Sequence, residues 1–310
     1  MSSTQLYVGI GIIVALLVVP LLVAVAVRFL IKDDEPEAEG AQIEPAMQFD
    51  SLKDFWQSNV PHLLELRDRL IKASAGIMIG GILGSYLVFG NPGGFNVIDV
   101  LAQQFIGADY VDSLQTIEIA EAFVASMSVA LAIGIALAMP VLVYQIVAFF
   151  APGLYAREKR VVFIALPFVF ELFLAGLAFG WLFTVPAAIN FLYNFGANAN
   201  SYEVRPTVND FLSIILRLML WNGVIFEMPA IIYLLARIGV VSAQTLANTR
   251  RYAIVIIVIF AAFITPTGDP FNLLLLAGPM YLLYEMGILL ARFVPKPKDT
   301  ALPIQVSPGD

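Results

Sequence analysis

Seven long apolar stretches divide this chain of 310 residues. A helix needs about 20 mostly apolar residues to cross a hydrocarbon core of about 30 Å, and all but the sixth stretch have about that length. The stretches are continuous, whereas the strands of membrane barrels alternate apolar and polar residues. Because helices satisfy their own backbone groups in lipid, the pattern predicts an all-α polytopic membrane protein. The predicted crossings are 6–31, 70–89, 123–150, 161–183, 211–236, 252–264 and 271–291.

The composition excludes several other classes of protein. Hydrophobic residues make up 60% of the chain and charged residues 13%, against about 25% charged residues in soluble domains. The absence of cysteine excludes disulfides, thiolate metal sites and thiol nucleophiles, and a single histidine, His62, argues against a metal site. No glycine-rich nucleotide loop is present, and a net charge of −7 does not favour nucleic-acid binding. We therefore expect no enzymatic activity, no cofactor or metal, and no nucleic-acid partner.

The lysines and arginines predict the orientation in the membrane. Of the 17, all except Arg205 and Arg217 fall in segments that lie on one side of the predicted crossings. Short loops rich in Lys and Arg remain cytoplasmic, so we expect an inner-membrane protein with its N-terminus outside and its C-terminus cytoplasmic. The first stretch has no basic residue before it and is too long for a cleaved signal, so we interpret it as a retained anchor.

The same pattern predicts four parts of the chain. Residues 1–32 form an additional N-terminal transmembrane helix, and residues 33–50 form an acidic cytoplasmic linker. Residues 51–292 form a core of six transmembrane helices, and residues 293–310 form a cytoplasmic tail.

One polar motif precedes the second crossing, at residues 61–70. Pro61 suits the first turn of a helix, and a leucine recurs every three or four residues along one face. Glu65 and Arg69 are four residues apart, so their side chains can form an ion pair. Taken alone, this motif is typical of an amphipathic helix at the membrane interface.

A second motif ends the third crossing. Pro140 and the pair Tyr144-Gln145 lie in the apolar stretch, and Pro152-Gly153 predicts a turn after it. Glu158 then stands among three cations in the next segment. A cytoplasmic loop with one charge-balancing acid would have the same pattern.

Three further motifs follow in order: Phe226-Glu227-Met228-Pro229, Thr265-Pro266-Thr267-Gly268-Asp269, and Pro279-Met280-Tyr281-Leu282-Leu283-Tyr284-Glu285. Together with the first two, they resemble TatC, the core subunit of the twin-arginine protein translocase. The resemblance covers about residues 61–292. It implies a curved, glove-like shell of six helices with cytoplasmic termini and two short last helices, to which this chain adds its first crossing.

The resemblance also implies a function. Such a protein binds signal peptides that carry two consecutive arginines on folded cargo, and recruits single-span TatA and TatB partners. It forms a homo-oligomer in the complex, within the lipid bilayer, and transport runs on the proton-motive force. The signal-binding glutamates of the family match Glu65 and Glu158, and a carboxylate forms strong, directional hydrogen bonds with guanidinium. Glu227, Thr265 and Asp269 match intramembrane polar positions linked to partner assembly or signal insertion.

Several features leave alternatives open. Glu227 lies about 15 Å from the cytoplasmic end of its crossing; an ionisable group there indicates a functional site, although a packing hydrogen bond would also place it there. Leu273 stands where the family usually has a glutamine. Glu171 and Arg217 lie inside crossings and could pair across neighbouring helices, or Arg217 could extend outward to the interface. The alternative function is a small-solute secondary transporter or channel with intramembrane acids.

Overall fold

The computed structural model describes residues 52–90, 96–107, 114–150, 156–198, 205–266 and 269–294, with backbone alone for 52–59, 61, 156–165 and 195–198. The predicted first crossing, the acidic linker and most of the C-terminal tail lie outside those residues. The described helices are α1 Leu52–Phe89, α2 Val97–Phe105, α3 Glu121–Phe150, α4 Ala156–Phe179, α5 Val185–Asn198, α6 Val208–Phe226, α7 Met228–Arg237, α8 Ala243–Asn248, α9 Arg250–Ile264 and α10 Pro270–Arg292. A π-helical segment, Gly180–Thr184, joins α4 to α5 without a break.

Among the described residues, five helical segments are long and apolar enough to cross a membrane. They are His62–Phe89, Glu121–Phe150, Leu166–Asn194, Val208–Arg237 and Pro270–Arg292. The described residues contain no strand, so the predicted all-α membrane fold is confirmed. The predicted crossing 252–264, the fifth of the core, corresponds to α9, which has 15 residues and is therefore shorter than the roughly 20 that a full crossing needs.

Three sequence-based boundaries were wrong. Helix α1 begins nine residues before Pro61, so this proline lies inside the helix and not in its first turn. A helix can tolerate the loss of a single N–H, as α3, α4 and α10 also do at internal prolines. The fourth crossing does not end at residue 183. A π-helical segment, whose turn contains one extra residue, leads directly into α5, and the helix continues to Asn198. The fifth is not a single helix, since it breaks between Phe226 and Met228.

Helix α1 packs chiefly against α3, at glycines that leave no room for a side chain. A Cβ atom at Gly80 would lie 2.2 Å from the carbonyl oxygen of Gly134, and one at Gly84 would lie 2.1 Å from that of Ala130. Small residues four apart allow helix backbones to approach closely in lipid, where the hydrophobic effect does not drive helices together.

Helix α6 occupies the centre of the described core. Phe211, Ile215 and Leu218 on this helix are at most 1% exposed, and they belong to one cluster with residues of α3, α5, α9 and α10. Helix α7 packs on α10, where Gly287 makes room for Ile232. The broken crossing α6–α7 is therefore surrounded by the other helices, which determines the environment of the residue at the break.

Candidate functional site

Glu227 occupies the break between α6 and α7. Its N–H donates to the carbonyl oxygen of Val224 at 3.1 Å, so the last turn of α6 is tighter than an α-helical turn. Pro229 follows in the first turn of α7 and cannot donate a backbone hydrogen bond. The sequence Glu-Met-Pro thus interrupts the helix inside a membrane span and directs the glutamate into the protein.

The Glu227 side chain is 4% exposed, and neither of its carboxyl oxygens has a hydrogen-bond partner among the described residues. An unsatisfied buried polar group typically costs about 1–3 kcal/mol. The carboxyl group of Glu227 can therefore accept a hydrogen bond, or donate one when it is protonated, and no described residue uses this capacity. The sequence also allowed Glu227 to form a hydrogen bond that packs two helices together. No such hydrogen bond forms among the described residues.

Glu65 lies in the N-terminal half of α1, where Nη2 of Arg69 donates to its Oε1 at 3.1 Å. The predicted pair therefore forms, but Glu65 remains 31% exposed and no hydrogen bond to its Oε2 occurs among the described residues. His62, one turn earlier, stacks on Phe149 with ring centroids 4.6 Å apart. This contact holds the first part of α1 against the end of α3.

Glu158 lies on α4, within the residues for which only the backbone is described. Its carboxylate is therefore not among the described atoms. That Glu65 and Glu158 converge on one ligand therefore stays a prediction.

Thr265 and Asp269 lie at the ends of two helices on the side of the fold opposite Glu65. Thr265 follows α9, and its hydroxyl donates to the carbonyl oxygen of Ala261 at 2.9 Å. Asp269 caps α10 and accepts from the backbone N–H and from Nδ2 of Asn272, both at 2.8 Å. Asn272 is 3% exposed, and its Oδ1 has no partner among the described residues. Leu273, where the family usually has a glutamine, is half-buried beside it.

Glu121 is a buried residue that sequence reasoning did not identify. Its Oε2 accepts from the N–H of Ile117 at 2.7 Å and of Glu118 at 3.3 Å, and its Oε1 accepts from the N–H of Asn209 at 3.2 Å. The carboxylate therefore joins the loop before α3 to the start of α6. An acid in the first turn of a helix was a visible local signal, but its contact with Asn209 spans 88 positions and has no local signature.

Glu285 was recognised only as part of a motif. Its Oε1 and Oε2 accept from Nε and Nη2 of Arg250 at 2.6 and 2.9 Å, and the hydroxyl of Tyr281 donates to Oε1 at 2.9 Å. The hydroxyl of Tyr284 donates to the carbonyl oxygen of Leu246 on α8. The last motif thus attaches α8 and the start of α9 to α10.

Glu171 and Arg217 do not form an ion pair with each other in the described structure, and Arg217 is exposed. The described residues also contain no cluster of His, Asp and Glu that could hold a metal ion.

Comparisons with known proteins agree with these motifs. The family described as Sec-independent protein translocase protein (TatC) matches residues 61–279. The Sec-independent protein translocase protein TatC of Carboxydothermus hydrogenoformans is 32% identical over 77% of this chain and 93% of its own length. That of Helicobacter pylori strain J99 is 34% identical over 77% and 91%.

A solved structure has the same fold. The crystal structure of the twin arginine translocase receptor TatC superposes with a TM-score of 0.63 at 32% identity, and the match covers 76% of this chain and all of that one. A structure of the same receptor in the detergent DDM gives a TM-score of 0.64 at 31% identity.

Proposed function

The chain belongs to the TatC family of Sec-independent protein translocase proteins, and on that premise we propose that its cytoplasmic rim binds twin-arginine signal peptides. The family assignment decides between the two functions that the sequence left open, in favour of protein translocation and against small-solute transport. The protein is a multi-pass membrane component of a translocase. Its ligand, its partners and its orientation are the proposals that follow.

Glu65 is the observation that carries the proposal. A carboxylate has about four lone-pair sites, and Arg69 uses one oxygen of Glu65 through a single nitrogen. The other oxygen is open to a guanidinium group that approaches from the cytoplasm. Two neighbouring arginines on a peptide need two carboxylates, and we assign Glu158 as the second.

Glu227 is assigned a later step, the insertion of the signal peptide or the docking of a partner helix. Its two unpartnered oxygens favour an incoming hydrogen-bond donor, because a buried polar group without a partner is unstable. We propose that single-span TatA- and TatB-type proteins supply that donor. Thr265 and Asp269 hold the turn between α9 and α10 in place on the exported side, where a partner would also contact Asn272.

The orientation follows from the charges. We propose that Glu65 and Arg237 face the cytoplasm and that Thr265 and Asp269 face the exported side, with the C-terminus cytoplasmic and the N-terminus outside. A tag at Met1 tests the last point, because it should be reached only from outside. Access from the cytoplasm alone would contradict the additional crossing.

Binding of a twin-arginine signal peptide to the purified protein tests the central proposal. Wild-type protein should bind the Arg-Arg peptide about tenfold more tightly than a Lys-Lys peptide, because ammonium cannot form the bidentate contact. Glu65→Lys should weaken binding by about 10- to 100-fold, the equivalent of one or two charge-assisted hydrogen bonds. Glu158→Lys should have the same effect.

Asp68→Lys is the matched control. Asp68 has the same charge, lies on the same helix and is 57% exposed, but it pairs with Arg67 beside it. Its reversal should therefore affect binding much less. Equal losses of binding for Asp68→Lys and Glu65→Lys would mean that the net charge of the surface, and not Glu65 itself, determines peptide binding. Unchanged binding by a Glu65→Lys protein that inserts into the membrane would refute the assignment.

A further inference from the structure

Helix α1 is much less covered by the protein than the other long membrane spans. In the most apolar part of its span, 11% of the residues are buried, against 33% for Glu121–Phe150, 44% for Leu166–Asn194 and 39% for Pro270–Arg292. The reason is its position, because α1 packs chiefly on one neighbour, α3. One side of α1 faces α3, and the remainder has few neighbours among the described residues.

A groove of about 520 Å³ runs along the open side. Its lining repeats every three or four residues along one face of α1, over about 22 Å of helix. Ser74 and Ala75 line the groove between Ile71 and Met78, nearer its Met78 end. Small residues in a groove allow another helix to approach closely in lipid. The lining residues are Leu63, Leu66, Arg67, Leu70, Ile71, Ser74, Ala75 and Met78.

The chain also contains a long apolar segment, residues 6–31, that lies outside the described residues. Residues 6–31 would form a helix of about 39 Å, longer than the groove and long enough to cross the membrane. This segment contains Gly11 and Ala15 four positions apart, the spacing of small residues that favours close helix contacts.

We propose that residues 6–31 pack in this groove as an antiparallel partner of α1, so that the additional segment completes the fold in cis. This inference goes beyond the proposed function and shares with it only the proposed orientation in the membrane. The segment would cover the face that α3 leaves open and give α1 a neighbour on each side.

The length of the connection supports this occupant. The 20 residues between Ile31 and Leu52 have an average end-to-end distance of about 25 Å if they are flexible. Neighbouring helices lie about 8–10 Å apart, so the connection is long enough to bring the segment beside α1.

The charges favour the same arrangement. Arg28 and Lys32 place the connected end of the segment at the cytoplasmic side, where α1 also begins. The linker carries six acids between residues 33 and 44, and Arg67 lines the cytoplasmic end of the groove. A second copy of the chain or a partner helix would have to reach the groove without this tether.

The absence of cysteine in the chain allows a direct test by disulfide formation in membranes. Residues 18–25 are replaced by cysteine one at a time, each combined with Ser74→Cys in the full-length protein. A protease site in the linker reports the result, because a disulfide within one chain holds the two fragments together. Leu83→Cys replaces Ser74→Cys as the matched control: Leu83 is 50% exposed on the same helix and lies about 180° around it.

We expect about tenfold more intramolecular disulfide with Ser74→Cys than with Leu83→Cys, recurring every three or four residues, since a disulfide needs Cα atoms within about 7 Å. Met78→Cys, also in the groove, serves as a second probe if Ser74→Cys does not insert, and the same pattern is expected. Equal yields at both faces, the absence of any disulfide, or a disulfide-linked dimer would each overturn the proposal. The dimer would assign the groove to a second copy instead.

Discussion

Glu121 and Glu227 are both buried glutamates in long membrane helices, and the fold treats them in opposite ways. Glu121 is 9% exposed and accepts three backbone N–H groups from two segments. Glu227 is 4% exposed and has no hydrogen-bond partner for either oxygen among the described residues.

We propose that the difference separates a structural acid, Glu121, from a functional acid, Glu227. A carboxylate that holds two chain segments together stabilises the fold, because its hydrogen bonds are charge-assisted and its partners would otherwise lose them. A carboxylate without partners destabilises the fold, so its presence indicates a requirement outside the resting monomer. Glu121 therefore joins the loop before α3 to the start of α6 by hydrogen bonds, whereas Glu227 has no hydrogen-bond partner among the described residues.

The largest effect should be that of Glu227 on transport. Glu227→Leu should lower export at least about tenfold while the free energy of unfolding stays equal or rises by about 1–2 kcal/mol, because an unsatisfied group is removed. Glu227→Gln keeps the size and hydrogen-bonding capacity, so its loss should be smaller than that of Glu227→Leu or Glu227→Lys. Export of a folded precursor and thermal unfolding in detergent provide the two measurements. Equal export by all three variants would make the residue a packing element and remove the contrast.

Glu121 should behave in the reverse way. Glu121→Leu should lower the unfolding temperature by several degrees, while export per folded molecule stays close to wild type, because the acceptor of three N–H groups is lost. Glu121→Gln should lose less, since a neutral amide oxygen still accepts hydrogen bonds, though more weakly. Glu118→Leu is the control, because Glu118 is exposed and contributes its backbone N–H, not its carboxylate, to this contact. Normal stability together with a loss of export in Glu121→Leu would show that Glu121 also acts in transport.

Glu285 should resemble Glu121, with a smaller effect. Glu285→Gln should loosen the start of α9, because the pair with Arg250 is bidentate but partly exposed to solvent. Protease cleavage near α8 should become faster, while the unfolding temperature should fall less than in Glu121→Leu. Tyr281→Phe is the control of intermediate effect, since it removes one hydrogen bond to Glu285 and keeps the ion pair with Arg250. Unchanged cleavage in Glu285→Gln would show that the packing of α9 suffices.

The smallest effect concerns the half-satisfied Glu65. Arg69→Gln should tighten binding of an Arg-Arg peptide about twofold at low salt, since an exposed pair four residues apart contributes about 0.3–0.5 kcal/mol. The gain should disappear at high salt, where such charges are screened. Titration of the peptide at two salt concentrations measures it. Weaker binding would mean that Arg69 positions Glu65 and does not compete for it.

The positions of the long helices were largely readable from the sequence, because lipid requires continuous apolar residues. Errors arose where the ends of helices were inferred from single residues. Pro61 was placed at a helix start although the helix begins at Leu52, and the π-helical segment Gly180–Thr184 has no apolar signature of its own. Of the candidate site, Glu65, Glu227, Thr265 and Asp269 were named from motifs, and the pair of Glu65 with Arg69 was predicted from a spacing of four. The roles of all four stay predictions.

The sequence by itself determined that the chain is an all-α membrane protein of the TatC family, because composition, apolar length and ordered motifs are local properties that no folding can change. Only the tertiary structure decided which acids have partners on other helices. Glu121 and Asn209 are 88 residues apart, and Arg250 and Glu285 are 35 apart, so their contacts depend on how the helices pack. Among the residues that the structure describes, the same packing leaves Glu227 without a hydrogen-bond partner and α1 with α3 as its chief neighbour, because both depend on which helices lie beside them.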